Sequence, residues 1–139
     1  MKILNWRTEE VIFESEHKTL KETVVEAVKQ KIDLRSANLR SADLYSADLS
    51  SANLSSTNLS SADLYSADLR SAELRSANLS SVNLRSADLS SANLRSADLR
   101  SADLRGAILC DCCFEKTKIS FRGKIAEINI KILGEECKK

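Results

Sequence analysis

The sequence has no proline and a single histidine, His17, in 139 residues. Without proline, no corner of the chain is pre-set by a locked φ. One histidine leaves few ways to build an acid–base pair, and it could be catalytic only with a nucleophile beside it, so a surface histidine is the plainer reading. No apolar run is long enough to cross a bilayer, and the N-terminus lacks the apolar core of a signal peptide. A cytoplasmic protein with no membrane span is therefore expected. An excess of either charge is missing too: 21 basic residues face 20 acidic ones, a net charge of +1. Between residues 32 and 109 eight Arg stand against nine carboxylates, with no basic patch of the kind nucleic-acid binding needs.

What the chain does have is a five-residue repeat. A large apolar residue recurs at 34, 39, 44 and every fifth position to 114, with 16 Leu and then Phe114. Two places earlier stands a small residue, mostly Ala, with Thr57, Val82 and Cys112 as exceptions. One place earlier stands Asp or Asn, with Glu73, Ile108 and Cys113 deviating. On a helix, successive leucines would sit roughly 140° apart and form no continuous stripe. A short extended triplet followed by a corner fits better: Leu points inward and its polar flanks outward. If each corner turns by about 90°, four repeats close a coil, and coils stack at about 4.8 Å with backbone pairing between them. Small Ala beside large Leu suits a thin core that two large residues would overpack.

The run Ala-(Asp/Asn)-Leu-X-X resembles the signature of the pentapeptide repeat family. That resemblance implies an all-β solenoid: a right-handed quadrilateral β-helix of about four coils. The family often has Gly where this chain has Ser, and Ser does not accept positive φ freely. Corners that mostly avoid positive φ are therefore expected, with Gly106 the exception. The domain reading is an N-terminal cap over 1–31, the repeat shaft over 32–116, and a C-terminal cap and tail over 117–139.

The flanking segments are read as covers for the two open ends of the shaft. Residues 2–4 and 10–14 form two short strands, with Trp6 packed in the hairpin. Thr19 and Glu22 have the form of a capping box, and Leu20, Val24, Ala27 and Val28 share one face of a helix over 20–30. At the other end, residues 117–133 read as a β-hairpin, with a helix from 125 as the competing reading.

Counting in twenties assigns each repeat to one of four faces. The first has centres Leu34, Leu54, Leu74, Leu94 and Phe114; the second starts at Leu39, the third at Leu44, the fourth at Leu49. Asn38, Asn58 and Asn78 form a ladder on the second face, where stacked amides can bond along the column. Tyr45 and Tyr65 fall one coil apart on the third face and should stack, with Asp43 and Asp63 beside them and Arg85 and Arg105 continuing the column. Asp48, Asp68 and Asp88 form an acidic ladder on the fourth face, which needs solvent, Arg70 or a partner to offset repulsion.

These seven Tyr and Asp residues are the candidate interaction surface. A flat carboxylate ladder lacks the enclosure of a metal or acid–base site, and a solvated face is the plainer reading. Cys112 should point inward while Cys110 and Cys113 point outward, so the three do not converge on a metal. No metal, cofactor or catalytic group is expected. The function read from the sequence is a non-enzymatic scaffold or protein-interaction module of unknown partner, with a homodimer through the C-terminal cap as a possibility. The alternative implied by the resemblance is a DNA-mimicking binder of DNA gyrase or topoisomerase IV, which the near-neutral shaft disfavours. An ice-growth inhibitor would need Thr arrays, and the shaft has only Thr57.

Overall fold

The computed structural model describes residues 1–120. Its repeat region is held by parallel bridges between residues twenty apart. Asn38, Asn58, Asn78 and Asp98 make one column, and Asp43, Asp63, Asn83 and Asp103 the next. Asp48, Asp68, Asp88 and Ile108 make the third, and Asn53, Glu73, Asn93 and Cys113 the fourth. Each side of a coil contributes a single bridged position, so named strands are few. Strand β3 (Asp98–Arg100) and strand β4 (Lys118–Ser120) are the one longer parallel pair among the described residues. The C-terminal hairpin expected over 117–133 lies, from residue 121 on, outside the described residues.

Every backbone amide of one repeat is accounted for, while the corner-serine carbonyl is left facing outward, and the pattern explains the period. In the repeat centred on Leu64, the Leu64 amide donates to the Asn83 carbonyl on the next coil, and the Ser66 amide to the Arg85 carbonyl. The Asp63 amide donates back to the Ala42 carbonyl on the previous coil. The Ala67 amide closes the corner onto the Leu64 carbonyl at 3.0 Å. The remaining amide, Tyr65, donates to the Asp63 carboxylate at 3.0 Å. Five amides thus find five acceptors, three of them on neighbouring coils.

One expectation is overturned. Fourteen corner serines, from Ser36 to Ser101, have φ between 52° and 60°, in the left-handed region. Gly106, at 71°, is one of the series rather than its exception. Positive φ at the third residue of a turn closed by a Leu-to-Ala hydrogen bond is what a type II turn requires. The amide on each side of the corner is fixed by the turn and by the next coil. That network outweighs the local preference of serine, which costs about 1–2 kcal/mol in this conformation.

The interior is a shaft of Leu and Ala. The leucines from Leu34 to Leu94 are fully buried, and the small position alternates with them. Thr57, at one small position, is buried and donates its hydroxyl to the Leu34 carbonyl at 3.1 Å, so it adds no unpaired group.

Over the first coil lie strand β1 (Lys2–Leu4), strand β2 (Val11–Glu14) and helix α1 (Leu20–Lys29). Lys2 pairs with Glu14, Ile3 with Phe13 and Leu4 with Val11 in antiparallel register. The capping box is present: Thr19 accepts from the Glu22 amide and Glu22 reaches back to the Thr19 amide. Thr23, Val24 and Ala27 are its buried face. The Asn38 amide, which in later coils would meet the coil before, donates to the Leu4 carbonyl at 2.7 Å. Trp6 departs from the reading that packs it inside the hairpin. It is 41% exposed, with Arg7 stacked 4.7 Å from its ring. Its indole Nε1 donates to the Ser56 carbonyl at 2.8 Å, because the chain leaving β1 runs over a corner of the shaft whose carbonyls point outward.

Candidate interaction surface

Tyr45 and Tyr65 are brought together as their twenty-residue spacing requires. Their rings are parallel within 6° and their centroids are 5.4 Å apart. Both ends of the stack are closed by cations. Arg85 lies 5.7 Å from the Tyr65 ring, and Lys21 of α1 lies 5.7 Å from the Tyr45 ring. Lys21 also donates to the Tyr45 carbonyl, an acceptor that on later coils is used by a serine amide of the coil before. The ammonium therefore stands in for a missing rung while its charge faces an aromatic ring. Arg85 could be found by counting twenties. Lys21 could not, since its position depends on how α1 lies across the end of the shaft. Tyr45 remains 51% exposed.

The carboxylates near the tyrosines are occupied. Asp43 accepts the Tyr45 amide at 3.3 Å; Asp63 accepts the Tyr65 amide and, at 2.9 Å, the side-chain amide of Asn83 on the next coil. The acidic ladder is likewise bound up within its own repeats. Asp48 accepts the amide and hydroxyl of Ser50, and Asp88 those of Ser90. Asp68 holds the Arg70 amide and makes a two-pronged contact with its guanidinium. That hydrogen bond holds the Asp68 carboxyl below the usual carboxylate range, and Asp48 and Asp88 also help raise the pKa of Arg70. Arg70 thus offsets the repulsion along the ladder.

The candidate residues therefore divide into two neighbouring columns rather than one site. The signal missed in the sequence is the job of the residue before each Leu. Its side-chain oxygen caps the amide two places on, which is why Asp and Asn alternate there freely. The Asn ladder follows the same rule: Asn58 and Asn78 accept from Ser60 and Ser80, and no bond joins one ladder amide to the next among the described residues.

Five Arg are paired with the acid two places earlier: Arg35 with Asp33, Arg70 with Asp68, Arg75 with Glu73, Arg100 with Asp98, and Arg105 with Asp103. Among the described residues, no group of three or more His, Cys, Asp or Glu is placed to hold a metal ion. Cys112 lies against the core and donates to the Leu89 carbonyl, and burial pushes its thiol up to about 11. Cys113 is exposed. His17 is a surface residue 3.1 Å from Glu26. No described helix is long and apolar enough to cross a membrane.

A shaft of parallel bridges at a spacing of twenty, built from Ala-(Asp/Asn)-Leu-X-Ser, defines a class of repeat solenoid. The chain belongs to the pentapeptide repeat family: the pentapeptide repeats model matches residues 30–55, 42–80 and 77–115, with 8 copies. Members of this family form right-handed quadrilateral β-helices. Among solved structures, the chain is similar to the pentapeptide repeat protein Rfr23 of the cyanobacterium Cyanothece 51142, with 41% identity and a TM-score of 0.60 over 61% of this chain and 58% of that one. It is similar to HetL of Nostoc sp. strain PCC 7120, a protein involved in heterocyst differentiation regulation, at 40% identity and a TM-score of 0.55 over 58% and 37% of the two chains. A pentapeptide repeat protein of the Arabidopsis thaliana thylakoid lumen matches at 31% identity and a TM-score of 0.60, over 61% and 59%. The match thus spans less than two thirds of each of these chains. No curated protein is matched by the sequence.

Proposed function

We propose that this chain is a non-catalytic protein-interaction module. Its shaft of about four coils, closed at the N-terminal end by the β1–β2 hairpin and α1, serves as a rigid support for one aromatic column. The observation that carries this reading is Tyr45, half exposed on an otherwise polar face, stacked on Tyr65 and flanked by Lys21 and Arg85. Aromatic residues ringed by polar and cationic groups favour protein partners.

The test is the double substitution Tyr45→Ser with Tyr65→Ser, probed by cross-linking in the native cell. A partner captured by the parent chain and lost by the variant, at unchanged thermal stability, supports the reading. A fall in stability with no partner lost shows that the stack only holds the coil together. Duplex mimicry of the kind a gyrase binder needs is poorly served by this surface. Its carboxylates are spent on their own Arg neighbours and on backbone amides.

A further inference from the structure

A shallow groove of about 400 Å³ runs down the first face, lined by Arg35, Asn53, Ser55, Arg75 and Arg95 and by the corner serines. It exists because Ser55 is short where its column neighbours, Arg35 and Arg75, are long. Each guanidinium is tethered to one carboxylate: Arg35 to Asp33, Arg75 to Glu73 at 3.1 Å, and Arg95 to Glu115 at 3.1 Å. A guanidinium has five N–H donors, so each keeps donors for a ligand. The rung between Arg35 and Arg75 carries neutral Asn53. An anion seated over Ser55 meets no carboxylate on that rung, and the carboxylates of the rungs on either side, Asp33 and Glu73, are each held by their own Arg.

The adjoining corner supplies acceptors. The carbonyls of Ser36 and Ser56 take the Trp6 amide at 2.9 Å and the Trp6 indole at 2.8 Å. The next two carbonyls in the column, Ser76 and Ser96, have no donor among the described residues. The N-terminal segment thus shows how a chain lies on the upper part of this corner.

We propose that the groove binds an acidic, extended segment of a partner polypeptide, with carboxylates on Arg35, Arg75 and Arg95 and N–H donors on the Ser76 and Ser96 carbonyls. The run from Arg35 to Arg95 covers three coil steps, about 14 Å, longer than a single phosphate or sulfate fills. A DNA strand has negative oxygens for the guanidiniums but no sugar–phosphate donor for the carbonyls. A polypeptide carries both. The groove is on a different face from the tyrosine column, so the two tests are separate.

A fluorescein-labelled, end-blocked peptide of alternating Glu and Ser, titrated with the whole chain at about 50 mM salt, reads the site by anisotropy. Labelled oligothymidylate is the comparison. Saturable peptide binding is expected, weakened about tenfold by Arg75→Gln and by Arg95→Gln taken separately, since each removes a charge-assisted contact. Ser55→Tyr fills the gap and weakens it too, while Arg105→Gln on the third face leaves it unchanged. An absence of saturable peptide binding, equal weakening by Arg105→Gln and Arg75→Gln, or tighter binding of the oligothymidylate overturns the proposal.

Discussion

Replacing a corner serine with glycine should stabilise this protein, against the usual cost of adding glycine. Ser66 has φ of 54°. An L-residue there costs about 1–2 kcal/mol, which glycine avoids. Glycine gives back roughly 0.5–1 kcal/mol through the larger freedom of the unfolded chain. The Ser66 hydroxyl makes no hydrogen bond among the described residues, so nothing further is lost. The net expectation for Ser66→Gly is a gain of about 0.5–1 kcal/mol, read as a shift in the urea midpoint at constant slope. Ser66→Val, whose branched side chain tolerates positive φ worst, should instead lose about 1–2 kcal/mol. Loss of more than about 1 kcal/mol in the glycine variant, or no difference between the two, would refute the left-handed corner.

Three further outcomes follow from the interior and the surface. Leu64→Ala removes a fully buried side chain between two coils and should cost about 2–5 kcal/mol by urea denaturation. The guanidiniums of Arg70, Arg100 and Arg105 hold Asp68, Asp98 and Asp103 below the usual range. A carboxylate with a depressed folded pKa stabilises above its unfolded value and loses that contribution as pH falls through the folded one. Stability should thus be level between about pH 7 and 5 and decline below about pH 4, as a pH series of thermal melts would show. At neutral pH Cys113 should react with iodoacetamide well before Cys112, whose thiol is half-buried against the core and pushed up to about 11. Peptide mapping by mass spectrometry reads the order.

The leucines were legible because burial in a thin shaft leaves little choice: a five-residue period fits only a repeated triplet and corner. The twenty-residue register followed, and with it the stacking of Tyr45 on Tyr65. The serine corners are not legible from the propensity of a single residue, which disfavours positive φ for serine. In the coil, the Ser66 amide and the Ala67 amide are both held by neighbours, and tertiary hydrogen bonds outweigh a local preference. The roles of Asp48, Asp68 and Asp88 were half legible. Their column follows from the spacing, which leaves solvent, Arg70 or a partner as ways to offset the repulsion. That each carboxylate turns back to cap its own corner needed backbone coordinates. Trp6 and Lys21 were beyond reach, since both depend on how the N-terminal segment lies on the shaft.

Disulfide trapping tests the closed coil most directly. Asn58 and Asn78 are bridged partners on adjacent coils, at a spacing within the roughly 4.4–6.8 Å that a disulfide spans. The pair Asn58→Cys with Asn78→Cys should cross-link on mild oxidation, as mapped by mass spectrometry. The pair Asn58→Cys with Glu73→Cys, five residues short of a full turn, should not. Equal trapping of both pairs, or trapping of the second alone, would contradict a coil that closes every twenty residues.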